Sequence, residues 1–159
     1  MHTLLRHLLA AVTLALAAGT APAADTAPVP SAAPDRLSAA RAHIAERKWA
    51  AAIEALQREA DPGSADWNNL MGYSHRKARV PDLAAAERYY DEALRLEPTH
   101  RGALEYSGEL YLMKGDLARA EQRLAALDKA CFLPCEEYTD LKKAVAGFKA
   151  NGNRPLAAQ

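Results

Sequence analysis

Cysteine is scarce in this chain of 159 residues, which has two, Cys131 and Cys135. Two thiols four positions apart cannot form the multi-bridge framework of a small disulfide scaffold, and they fill only half of a tetrahedral zinc site. The fold must therefore rest on a hydrophobic core. Aromatic residues are also few, at 6%, while alanine is abundant, a balance that favours closely apposed helices over strands. Net charge is absent, with 20 basic and 20 acidic residues. No general attraction to nucleic acid or to an acidic membrane is implied, and neither is expected as a partner. The longest apolar run, residues 8–18, is shorter than the about 20 residues that span a bilayer. Catalysis has no sequence support: there is no glycine-rich phosphate loop and no serine, histidine and acid arrangement. His43, His75 and His100 fall at unrelated points along the chain. No enzyme activity, cofactor or metal is expected.

What the chain does have is a period. Trp49, Leu83 and Leu117 are spaced by 34 residues, as are Ala52, Ala86 and Ala120, and again Leu56, Tyr90 and Leu124. A fixed period of that length predicts stacked helical hairpins, because one hairpin cannot bury its apolar face alone. The predicted fold is all-α: an α-solenoid of three hairpins and a C-terminal capping helix.

Residues 1–23 read as an export signal, with Arg6 near the start, the apolar run, and Ala21-Pro22-Ala23 before the cut. The mature protein is expected in the periplasm or outside the cell, without membrane insertion once the signal is removed. Residues 24–34 carry Pro28, Pro30 and Pro34 and form a linker that cannot pack as a helix. The helical domain spans residues 35–150, and residues 151–159 are expected to be a disordered tail.

Within the domain the first hairpin turns near Arg47-Lys48, the second at Arg79-Val80-Pro81 and the third at Lys114-Gly115-Asp116. Trp49, Ala52, Ile53 and Leu56 at i, i+3, i+4 and i+7 form one buried stripe, and Trp67, Leu70, Met71 and Ser74 another. Asp66, Asp82 and Asp116 are candidate helix caps, and Gly115 suits a left-handed backbone at a helix end. Leu141, Val145 and Phe148 give the last helix a single apolar face for the flank of the third hairpin. Tyr90, Tyr106 and Tyr111 are expected in or near the seams. In an oxidising compartment Cys131 and Cys135 would staple the corner before the last helix. A thiol redox or metal-handling role for Cys131 and Cys135 is one alternative, and a purely structural, self-associating subunit is another.

The period and residue types resemble the tetratricopeptide repeat (TPR) family. Gly72 and Gly108 look like its small first-helix residue, Ala86-x3-Tyr90 and Ala120-x3-Leu124 like its second-helix pair, and Pro98 like its closing proline. Residues 102–144 are also similar to a group of small exported bacterial TPR proteins. Gly72 and Gly108 stand 36 apart, which points to a two-residue insertion near Val80-Pro81. Cys-Phe-Leu-Pro-Cys replaces the next closing proline.

The resemblance implies a non-catalytic binding or scaffold module whose first helices line a concave groove for an extended protein or peptide segment. Carried onto this sequence, the groove holds Arg41, then Asn69, Tyr73, Arg76 and Lys77, then Glu105 and Glu109. It would be basic in the middle and acidic at its far end. Glu105 and Glu109 stand where a terminal-carboxylate clamp would want basic groups, so no such clamp is expected. Changing Arg76 and Lys77 together to Glu is expected to weaken capture and leave helical content intact.

Overall fold

The structure, a computed structural model, describes residues 35–133 and 135–155. The export-signal and linker readings, and residues 156–159 of the predicted tail, lie outside the described residues. Seven helices follow one another: α1 (Ser38–Ala45), α2 (Trp49–Arg58), α3 (Ala65–Lys77), α4 (Leu83–Leu96), α5 (Arg101–Met113), α6 (Leu117–Ala130) and α7 (Glu136–Ala150). There is no strand among the described residues.

Three of these helices, α2, α4 and α6, begin at Trp49, Leu83 and Leu117, so the 34-residue period marks real helix starts. Local chemistry fixes them. Asp82 accepts a hydrogen bond from the Ala85 amide at 2.8 Å, and Asp116 accepts one from the Arg119 amide at 3.0 Å. Each carboxylate satisfies an amide that has no partner within its helix. Gly115 turns the chain at φ 77°, where a side chain would clash with the backbone. At α3 the cap is not Asp66 but Ser64, whose hydroxyl accepts from the Trp67 amide at 3.2 Å. Asp66 instead meets the ring of His100. His100 caps α5 by accepting from the Ala103 amide through Nδ1 at 3.0 Å, so its Nε2 carries the proton and donates to Asp66 at 3.1 Å.

The connection from α3 to α4 covers residues 78–82, whereas those from α1 to α2 and from α5 to α6 cover 46–48 and 114–116. Two extra residues therefore sit in the middle turn, and Ala40, Gly72 and Gly108 occupy equivalent places, all buried. A Cβ on Gly72 would lie 2.7 Å from the Tyr90 ring, and one on Gly108 would lie 2.5 Å from a Leu141 methyl. Both glycines are places where a neighbouring helix presses in.

Helices α1 and α2, α3 and α4, and α5 and α6 pack as pairs, and each pair touches the next. The odd-numbered helices approach one another backbone to backbone along the row α1, α3, α5; the even-numbered ones do not. Long side chains reach across from α4: Glu87 meets Lys114, in the turn before α6, and Arg119, and Asp91 meets Arg123 at 3.1 Å. Ala52, Ala86 and Ala120 are all fully buried, which gives the seams their close approach. Helix α7 covers α5 and α6 with Leu141, Val145 and Phe148. Residues 151–153 form a turn whose amides donate to the Gly147, Lys149 and Phe148 carbonyls at the end of α7.

Candidate functional site

The second half of α3 places Tyr73, Arg76 and Lys77 at i, i+3 and i+4, one face of a helix. Tyr73 lies between two other aromatic rings: Trp49 at 5.8 Å, edge to face, and Tyr106 at 4.6 Å. The Arg76 guanidinium sits over both tyrosines, 5.5 Å from the Tyr73 ring centre and 5.6 Å from that of Tyr106. It pairs with Glu109 at 2.7 Å, its Nε donates to the Tyr90 hydroxyl at 3.4 Å, and Nη1 lies 4.0 Å from the Met113 sulfur. Only 5% of Arg76 is exposed. Burial opposes its charge, but Tyr90 and Glu109 outweigh that and leave the pKa above the ordinary arginine value. Arg76 thus joins α3, α4 and α5 from inside. It is not a free surface cation.

Glu105 is also buried, at 8% exposure. Burial, then the carboxylates of Glu109, Asp140 and Glu137, push its pKa up to about 8, with Arg76 opposing. At neutral pH it carries a proton. Lys77 is half-buried, and burial followed by the nearby Arg76 charge lowers its pKa. Asn69 is buried, and its Oδ1 has no hydrogen-bond partner among the described residues. Its amide nitrogen would stand 3.0 Å from a Cβ at Gly102, so that glycine leaves room for it. Arg41 is exposed and held by Asp35 at 2.7 Å and Asp66 at 3.6 Å.

The structure therefore brings Tyr73, Arg76, Lys77 and Glu109 together with Glu105 near them, and ties Arg41 elsewhere. The expected polarity changes. Arg76 and Glu109 cancel, and Glu105 is neutral, so the expected acidic end is largely lost. The double change of Arg76 and Lys77 to Glu cannot leave the helices intact as expected, because it would set a buried carboxylate against Glu109.

Beside this cluster a cleft of about 470 Å³ is lined by Ile44, Ala45, Arg47, Trp49, Tyr73, Lys77, Ala78 and Arg79. Its floor is aromatic and aliphatic, and its lining charges are all positive. Trp49 and Tyr106 belong to this region although the sequence reading gave them only to the core. The signal for Arg76 lies in the same 36-residue register as Gly72 and Gly108. It aligns Tyr73 with Glu109 and Arg76 with the fully buried Leu112, so Arg76 occupies a core position.

Cys131 and Cys135 are bonded to each other across a Cα separation of 5.9 Å, and neither is a free thiol. Among the described residues, no group of three or more His, Cys, Asp or Glu is placed to hold a metal ion. No described helix is long and apolar enough to cross a membrane. No family model matches the chain, and no curated protein matches it.

Proposed function

We propose that this chain is a TPR-like α-solenoid, exported to the periplasm or outside the cell, that works without catalysis by binding an extended segment of another protein along the row α1, α3, α5. The close approach of the odd-numbered helices supports a bend with that row on its inner side. The observation that carries the reading is the cleft: Trp49 and Tyr73 form an apolar floor, with Arg47, Lys77 and Arg79 around it. An apolar side chain of the segment would cover the rings. Neighbouring acidic side chains would meet the cations. With Arg76 neutralised by Glu109, the segment favoured is acidic and apolar, not basic.

A photocrosslinking residue placed at Arg79 in the producing cell, with a control at Gln122 on the exposed side of α6, tests this. The expected result is adducts with a different protein from position 79 and none from 122. Equal labelling from both positions, or none from either, refutes it.

A further inference from the structure

At the far end of the chain, Phe132 and Leu133 are fully and 71% exposed. They stand between two cysteines bonded to each other, directly before α7. The bond closes a loop of a few residues and restricts how that loop can move. Two large apolar side chains are thus exposed on a tip closed by the bond. Exposed apolar groups presented this way mark interaction sites.

The tip cannot reach the cleft of its own chain. Helices α1 and α2 touch only each other and α3, while α7 touches only α5 and α6, so two helices in sequence along the row separate cleft from tip. Their chemistry nevertheless matches. The cleft offers the Trp49 and Tyr73 rings with Arg47, Lys77 and Arg79, and no acidic residue lines it. The tip offers Phe132 and Leu133 followed at once by Glu136 and Glu137. Arg101 lies 3.7 Å from Glu137 and offsets it in part, which leaves exposed Glu136 to face the cations.

We propose that the Phe132–Leu133 tip of one copy docks in the Ile44–Trp49–Tyr73 cleft of a second copy, with Glu136 and Glu137 against Arg47 and Arg79. The contact is heterologous: each copy keeps a free cleft at one end and a free tip at the other, so copies add head to tail. A plug of two side chains buries far less than the about 1,200–2,000 Å² of a stable complex, so association is weak and concentration-dependent. The proposal rests on the cleft described above, but not on capture of a foreign segment there.

The test uses two variants of the unreduced full-length protein, measured by sedimentation over a hundredfold concentration range. Phe132→Asp destroys the tip and leaves the cleft. The pair Arg47→Glu with Arg79→Glu spoils the cleft and leaves the tip. The expected result is a wild-type mean mass that rises with concentration, two variants that each remain monomeric, and a species of twice the monomer mass when they are mixed. Only a heterologous contact restores pairing in the mixture. Wild-type protein that stays monomeric throughout, a Phe132→Asp variant that still associates, or a mixture with no doubled species would each overturn the proposal. Photocrosslinks from position 79 to a different protein are scored separately, so either reading can fail alone.

Discussion

The Arg76–Glu109 pair is asymmetric, and the asymmetry predicts an unequal response to mutation. The Arg76 side chain is 6% exposed and that of Glu109 is 30% exposed. Glu109→Ala strands a guanidinium in the interior. Removing one partner of a buried pair costs about 3–5 kcal/mol, and the open glutamate side of this pair places the loss at about 3 kcal/mol. Arg76→Met removes the buried charge itself, and Glu109 can turn to water. What is lost is the stacking on Tyr73 and Tyr106, about 0.5–1 kcal/mol each, and the bond to Tyr90, about 1 kcal/mol, partly offset by methionine packing. That sums to about 2 kcal/mol. In the double variant Glu109 has no partner left to lose, so the total stays at about 2 kcal/mol and the coupling is about 3 kcal/mol in magnitude. Urea unfolding of the four proteins, followed by circular dichroism, measures all of these. Additive losses within about 0.5 kcal/mol, or a larger loss for Arg76→Met than for Glu109→Ala, would refute the account of Arg76 as a buried cation held by one anion.

Glu105 makes stability pH-dependent. Its folded pKa is about 8, above the unfolded value of about 4.3, so the folded state holds a proton that the unfolded state releases. Stability should fall as pH rises through that window, by at most about 1.4 kcal/mol per pH unit. Glu105→Gln should flatten the fall, as read from melting temperatures between pH 5 and 9. Two helical glycines should respond to alanine with opposite signs. Gly147→Ala meets nothing within 4 Å and should stabilise by about 0.5–1 kcal/mol. Gly108→Ala pushes into the fully buried Leu141; overpacking of about 1–3 kcal/mol exceeds the helix-propensity gain of about 0.8 kcal/mol, so chemical denaturation should show a net loss. Replacing Cys131 and Cys135 by Ser removes a short closed loop worth about 2 kcal/mol in the entropic description. Calorimetry should record a lower melting temperature with the remaining helices retained.

The helix boundaries were legible because they depend on local chemistry repeated at a fixed interval. Asp82, Asp116 and Gly115 each act within a few residues of their own position, and Asp82 and Asp116 stand one period apart. The stripe Leu141, Val145 and Phe148 likewise depends only on helical spacing and is buried as expected. Asp66 shows the limit of such signals. Ser64 and Asp66 are both good cap formers two residues apart, and the choice between them is made by His100, which is 34 residues away and gives Asp66 another partner.

Charge along α3 and α5 was legible in identity but not in state. A sequence counts Arg76 as positive and Glu105 as negative, because it carries no information on which side chains are desolvated together. Arg76 tolerates burial because two tyrosine rings, a phenolic oxygen and a carboxylate surround one planar cation, and these come from three different helices. Glu105 is desolvated by burial and has further carboxylates near it, and so keeps its proton. Once these two are set aside and Glu109 is assigned to Arg76, the unbalanced charge of the region is the positive group Arg47, Lys77 and Arg79 at the cleft. Exposed charges of this kind are screened within about 8 Å at physiological salt. They therefore act on what docks between them, and they favour an occupant that brings acidic side chains beside an apolar one.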